Sequence, residues 1–135
     1  IQTKGFLITP FGRRRYFWGR AWDDTTIRAA IAYVPQSTVS DMTLTGMNKL
    51  WHSGYQLLAN GHDAAILQVP EANYKDAKDA ILATLTTPLD TADFTGTVRR
   101  MVVPWEASVG WSWGKHSKDN PRGLLTYDAH IRSGR

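Results

Sequence analysis

The chain has 135 residues, 42% of them hydrophobic, four more basic than acidic side chains and no cysteine. That is enough for one compact domain and too little for two, and it excludes disulfides and thiolate metal sites such as a zinc ribbon. No apolar run reaches the roughly 18 residues of a membrane span, and the N-terminus lacks a basic-then-apolar signal pattern, so the expectation is a soluble cytoplasmic protein with no membrane partner.

The chain opens at Ile1 inside an extended stretch and without an initiator methionine, which suggests a fragment whose beginning is missing. Residues 1–22 read as extended, with Phe6, Leu7 and Ile8 leading through Pro10 and Gly12 to Arg13, Arg14 and Arg15. Tyr16, Phe17, Trp18 and Trp22 follow. Interleaved arginines and aromatics suit phosphate pairing and base stacking, and they equally suit a solvated hairpin arm with packed rings. Asp23, Asp24 and Thr25 are good helix starters, so a short helix is predicted from there to about Tyr33, with Pro35 as its stop. A second helix then carries Val39, Met42, Met47, Leu50 and Trp51 as a core stripe and ends at Gly54. Gly46 inside it costs about 1 kcal/mol relative to alanine, which points to close packing there.

Two short apolar runs, Tyr55 to Ala59 and Ala64 to Val69, flank Asn60-Gly61-His62-Asp63. Asn-Gly is a strong hairpin signal, so a buried β-hairpin is predicted with His62 and Asp63 at or just beyond its tip. Pro70 and Glu71 open a helix with Tyr74, Ala77, Ile81 and Leu85 on one face. A polar loop, residues 89–96, leads to a β-rich stretch over 97–114 that closes the sheet. From His116 onward little pattern remains, and a surface tail is expected. Because the central strands join by a tight hairpin, the order implies α+β rather than a doubly wound sheet.

Asp63 at a hairpin tip is reachable and rigidly held, as a metal ligand should be. An aspartate beside Asn-Gly also serves commonly to satisfy turn amides, and a lone histidine such as His62 is commonly just exposed. There is no HExxH, no glycine-rich phosphate loop, and no evident partner for a serine nucleophile. A two-metal phosphoryl-transfer site needs at least two carboxylates from different strands, and the chain offers one convincing candidate.

Four short stretches together resemble one family, the family A DNA polymerases of the bacterial DNA polymerase I type, with a phage-like character. These are Thr9 to Tyr16 (TPFGRRRY), Arg28-Ala29-Ala30 with Pro35 to Asp41 (PQSTVSD), His62-Asp63 with Val69-Pro70-Glu71, and Pro104 through Val109-Gly110 to Trp113-Gly114. The resemblance covers roughly residues 5 to 115. It implies the C-terminal palm portion of such an enzyme: an α+β fold with an antiparallel palm-type sheet and a catalytic β-hairpin packed against two or three helices. The corresponding division is residues 1–24 as the end of a fingers-type region, 25–115 as palm, and 116–135 as C-terminal tail.

The resemblance further implies that Asp63 is one of two aspartates holding catalytic Mg²⁺ in template-directed nucleotidyl transfer, with His62 against the primer terminus. Arg28 and Gln36 would contact the primer–template backbone and minor groove, where degenerate acceptors allow pair geometry to be checked without reading sequence. Arg13, Arg14 and Arg15 match a DNA-contacting stretch with a partly structural role. The partners implied are primer–template DNA, a deoxynucleoside triphosphate (dNTP) and the remainder of the polymerase chain, in a bacterial or phage-infected cell. Three positions depart from the pattern: Ala64 replaces the usual acidic residue after His-Asp, Ala32 replaces an asparagine four residues before Gln36, and the segment between Tyr16 and Arg28 is short. The other catalytic aspartate and the nucleotide-gripping helix would lie upstream of Ile1, so this chain alone is expected not to polymerise. The alternative is a non-catalytic basic nucleic-acid-binding α+β module using GRRRYFWGR and the surface around Gln36.

Overall fold

The computed structural model describes residues 5–92 and 96–134. The extended character expected of residues 1–4, positions 93–95 of the polar loop and Arg135 lie outside the described residues. In chain order the elements are β1 (Phe6–Ile8), β2 (Arg14–Tyr16), α1 (Asp24–His52), β3 (Gln56–Gly61), β4 (Ala64–Gln68), a 3₁₀ turn (Glu71–Asn73), α2 (Tyr74–Leu85), β5 (Leu89–Ala92), β6 (Val98–Met101), β7 (Ser108–Val109), β8 (Leu125–Thr126) and α3 (Tyr127–Arg132). The class is α+β. Among the described residues the strands pair antiparallel in four separate two-stranded ladders, β1–β2, β3–β4, β5–β6 and β7–β8, so the β-rich stretch after residue 97 does not close one continuous sheet.

Pro35 does not stop a helix: α1 runs through it for 29 residues, about 43 Å at the usual rise. A proline in a helix interior removes one hydrogen bond to the carbonyl four residues back, here that of Ile31. Pro35 is exposed and Ile31 is 71% exposed, so that carbonyl lies on the water side, where solvent replaces the lost partner. Downstream, the β-branched run is kept helical by its own hydroxyls. Thr38 Oγ1 donates to the Val34 carbonyl at 2.6 Å, Thr43 Oγ1 to Val39 at 3.0 Å and Thr45 Oγ1 to Asp41 at 2.8 Å. Thr38 and Thr43 are thereby buried without an unpaired hydroxyl.

The buried apolar side chains are few: Ala30, Tyr33, Met42 and Leu50 of α1 and Leu85 of α2. Met42 and Leu85 mark where α2 crosses α1, whereas Tyr33 packs edge-on against Phe17. Gly46 is the contact point, since a Cβ built there would lie 2.7 Å from Leu85 Cδ2. The close packing expected from its sequence position is present. Trp51, expected in the core stripe, is instead 62% exposed; it falls one residue past fully buried Leu50, about 100° around the axis, and so points away from α2.

Residues 116–134 are not a patternless tail. Strand β8 pairs with β7 in the register Ser108↔Thr126 and Val109↔Leu125. The intervening loop closes because Gly110 and Gly123 meet backbone to backbone, where a Cβ on Gly110 would sit 2.7 Å from the Gly123 carbonyl oxygen. Helix α3 then buries His130 between the rings of Tyr74 and Trp111, each 5.5 Å away centroid to centroid. Lys78 of α2 lies 4.1 Å over the ring of Tyr127, and its hydrogen bond with Asp79 holds its ammonium above the ordinary lysine range. Short elements without strong periodicity are thus fixed by aromatic contacts to α2, a tertiary effect that local pattern does not report.

Candidate functional site

The second hairpin is anchored where α1 ends. The Tyr55 N–H donates to the Leu50 carbonyl at 3.1 Å, and Leu50 is fully buried, so β3 leaves the core at a fixed point. Pairing runs Gln56↔Gln68, Leu57↔Leu67, Ala59↔Ile66, Asn60↔Ala65 and Gly61↔Ala64, with an irregularity between Leu57 and Ala59. Leu58 is the extra, unpaired residue of a β-bulge and is 55% exposed. The bulge shifts the register so that Asn60 and Gly61, predicted as the turn, are the last residues of β3. His62 and Asp63 form the two-residue loop.

His62 takes the turn conformation in their place, with φ of 58°. A side chain in this left-handed region costs on the order of 1–2 kcal/mol, and glycine, one residue earlier, would have avoided it. The hairpin is also less buried than its apolar sequence implied: β3 alternates between exposed and half-buried residues, Ala65 to Leu67 of β4 are only half-buried, and Gly61, His62, Asp63 and Ala64 are all exposed. Two strands alone leave both edges and one face open.

Among the described residues, the carboxylate of Asp63 accepts no hydrogen bond from a turn amide and joins no ion pair, and the side chain of His62 likewise has no such partner. Of the two readings left open by sequence, a turn-satisfying Asp63 is therefore not realised. Equally, among the described residues no three His, Asp or Glu side chains gather where they could share an ion. Magnesium is held by carboxylates together with substrate phosphates and water in octahedral geometry. Asp63 offers one carboxylate of the kind such a site uses, and the described residues do not build a complete metal site.

Arg28 and Gln36 both lie exposed on α1. With Ile31, Ala32 and Pro35 they occupy positions i, i+3, i+4, i+7 and i+8, which is one face of a helix. Ala32, at the position of the expected asparagine, sits midway between them. The three positions 28, 32 and 36 thus line up over two turns, about 12 Å, with a methyl group in the middle.

The first hairpin separates the three arginines. Arg13 donates from Nη2 to Asp41 Oδ1 on α1, and its carbonyl accepts from Tyr33 Oη at 3.2 Å. Arg15 lies 5.1 Å over the Phe17 ring and 5.4 Å over Tyr33. Arg14 is on the opposite side, 4.5 Å over the Phe6 ring and hydrogen-bonded to Tyr16 Oη at 3.3 Å. In the sequence Asp41 stands only as the last residue of the stretch PQSTVSD. It is buried, and its Oδ2 has no hydrogen-bond partner among the described residues. The signal that would have found its role is the pairing of one arginine in a strand with one acid on the apolar side of a helix.

Two curated proteins are similar to this chain. It is 30% identical to DNA polymerase I B, chloroplastic/mitochondrial, of Arabidopsis thaliana over 64% of its own length. It is 31% identical to the thermostable DNA polymerase I of Thermus filiformis over 81% of its length. The chain spans only 9% and 13% of the length of those two proteins. Neither is a phage protein, and the phage-like character read from the sequence gains no support. No protein-family profile matches the chain, and no solved structure matches it significantly. No described helix is long and apolar enough to cross a membrane.

Proposed function

We infer that this chain is part of a DNA-directed DNA polymerase of the family A type, contributing to template-directed nucleotidyl transfer in DNA replication. Supporting this are the similarity to two DNA polymerase I enzymes over most of the chain and one structural observation above the rest. The two-residue loop of the hairpin that follows the long helix is His62-Asp63, with a carboxylate that none of the described residues engages.

In this reading the segment acts as palm. Asp63 contributes one carboxylate to a Mg²⁺ site whose remaining ligands, including the second aspartate, come from the polymerase chain upstream. His62, held in its unusual backbone conformation, borders the primer terminus. The exposed face bearing Arg28 and Gln36 lies along primer–template DNA, arginine on phosphate and glutamine on minor-groove acceptors, while the incoming dNTP is gripped by residues outside this chain. Ala64 and Ala32 each withdraw one polar contact from that arrangement.

The test uses the polymerase chain that carries the upstream motifs together with this segment, and compares primer extension in Mg²⁺ before and after Asp63→Asn. Removing a metal ligand should cost more than the roughly 10- to 100-fold that losing a ligand's outer hydrogen-bond partner costs. The melting temperature should not move, because Asp63 is exposed and has no partner among the described residues. Equal extension rates would refute the role.

A further inference from the structure

The stretch Arg13 to Trp18 reads as one basic-aromatic run in sequence, but a strand alternates its side chains between two faces, and here the two faces have different fates. The odd-numbered residues turn to α1: Arg13 to Asp41, Arg15 to Tyr33, and Phe17 edge-on to Tyr33 at 6.2 Å. The even-numbered residues turn outward and continue across the hairpin. Register places Phe6 opposite Tyr16 and Ile8 opposite Arg14. Phe6 and Tyr16 are 5.4 Å apart, Tyr16 and Trp18 stack at 5.8 Å with planes 21° apart, and Arg14 covers Phe6.

The outer face therefore ends in an aromatic ladder whose last ring is almost wholly in water: Trp18 is 91% exposed and Tyr16 47%. Burying such rings is favourable, and nothing in α1 needs them. The surroundings say what kind of molecule suits the ladder. Residues 1–22 contain Lys4, Arg13, Arg14, Arg15 and Arg20 and no acidic residue, so this stretch carries a positive charge that repels cationic partners and attracts a polyanion. A flat exposed ring beside guanidinium groups is the combination that holds an unpaired nucleotide, the base on the ring and the phosphate on the cation. A duplex offers its phosphates but keeps its base faces stacked inside.

We propose that the outer face of the β1–β2 arm, formed by Arg14, Tyr16 and Trp18, is a binding site for single-stranded DNA that stacks an unpaired base on Trp18. The site deepens the nucleic-acid reading given above and rests on it for the presence of DNA, but it does not involve Asp63 or metal. Arg13 and Arg15 are positioning residues here: they fix the arm to α1 and so turn the even-numbered face outward.

Fluorescence anisotropy of the chain with a labelled 12-nucleotide oligothymidylate, and with a blunt 12-base-pair duplex, tests this at low salt. Trp18→Ala should weaken oligothymidylate binding roughly tenfold, the effect of losing one base–aromatic stack, and leave the duplex unchanged. Trp18→Phe, which keeps a ring, should retain most of the affinity. Asp63→Asn should bind the oligonucleotide as the parent chain does, so loss of extension activity without loss of this binding, or the reverse, tells the two sites apart. Circular dichroism confirms folding of each variant, which the exposure of Trp18 favours. The site is overturned if the parent chain does not bind oligothymidylate, leaving the ladder as a surface for another part of the protein, or if Trp18→Ala weakens both DNAs alike or neither.

Discussion

In the arm β1–β2, residues that differ by one position point to different surroundings, and the chemistry is spread over a face. In the hairpin β3–β4 the faces are ordinary half-buried strand surface and the chemistry is confined to a loop of two residues. Both lean on α1, by different means. The arm is held by side chains, through the Arg13–Asp41 pair and the Tyr33 hydroxyl, whereas β3 is held by a backbone hydrogen bond beside buried Leu50. A site attached through the backbone keeps its position when surface charges change, while a site attached through one ion pair depends on it.

The largest effect should come from the backbone-anchored side. Leu50→Ala empties a fully buried position where α1 hands over to β3, and large-to-small core changes of this kind cost about 2–5 kcal/mol. In so small a core that is a large part of the roughly 5–15 kcal/mol total of an ordinary domain. Denaturant unfolding should show it directly, and hydrogen exchange should show the amides of residues 55–68 losing protection first. If the arm loosened instead, the anchoring assigned to Leu50 would be wrong.

Next is the ion pair that holds the arm. Arg13→Gln leaves the nearly buried Asp41 carboxylate without its cation. Breaking a buried pair costs about 3–5 kcal/mol, and because Arg13 is half exposed, solvent screening reduces this to roughly 1–3 kcal/mol. The double variant Arg13→Gln with Asp41→Asn should recover part of the loss, since a neutral amide tolerates the site better. A double-mutant cycle read by urea unfolding measures the coupling, and no coupling would mean that Asp41 is satisfied from elsewhere.

How much of this could be read from the chain depended on what each residue type can signal by itself. The hairpin of residues 56–68 was legible because two apolar runs around Asn-Gly leave few alternatives, and His62 and Asp63 do form its tip, whereas the bulge at Leu58, which leaves Asn60 and Gly61 in the strand, is invisible to alternation. The interruption at Pro35 was overruled by position: proline breaks a helix at a cost that depends on whether the orphaned carbonyl reaches water, and Ile31 happens to be outside. The folded state of residues 116–134 was illegible because Gly110 against Gly123 and His130 between two rings are contacts across sequence, with no period to announce them. For the candidate site, residue type left Asp63 and His62 open between an ordinary turn and a ligand, and only the resemblance singled them out together with Arg28 and Gln36, which helical spacing puts on one face of α1. The arginine triplet could not be divided without knowing that residues 14–16 form a strand.

A smaller effect concerns the loop itself. His62→Gly relieves the left-handed backbone strain, so stability should rise by up to about 1 kcal/mol, while His62→Val, β-branched at a positive φ, should lose roughly 1–3 kcal/mol. Thermal unfolding of the two variants separates them. If both lowered stability, His62 would be making a folded-state contact beyond its backbone role. A stabilising glycine that also slowed primer extension in the complete polymerase would mark strain retained for function.

The smallest effect on stability, and the one that sharpens the comparison most, is Arg14→Gln. Arg14 covers Phe6 and touches Tyr16 Oη on an exposed surface, so its removal should change stability by no more than about 0.5 kcal/mol, far less than Arg13→Gln one position earlier. Binding should reverse the ranking. A cation that neutralises one phosphate of a single strand contributes about 0.7 to the slope of log affinity against log salt concentration, so Arg14→Gln should flatten that slope by about this amount. A folded Arg13→Gln protein, whose guanidinium was already committed to Asp41, should alter the slope through arm mobility alone. Equal slopes for both variants would mean that the arm's two faces are not distinct in solution. Separate slopes would establish that one strand divides three consecutive arginines between holding the arm and meeting the phosphate.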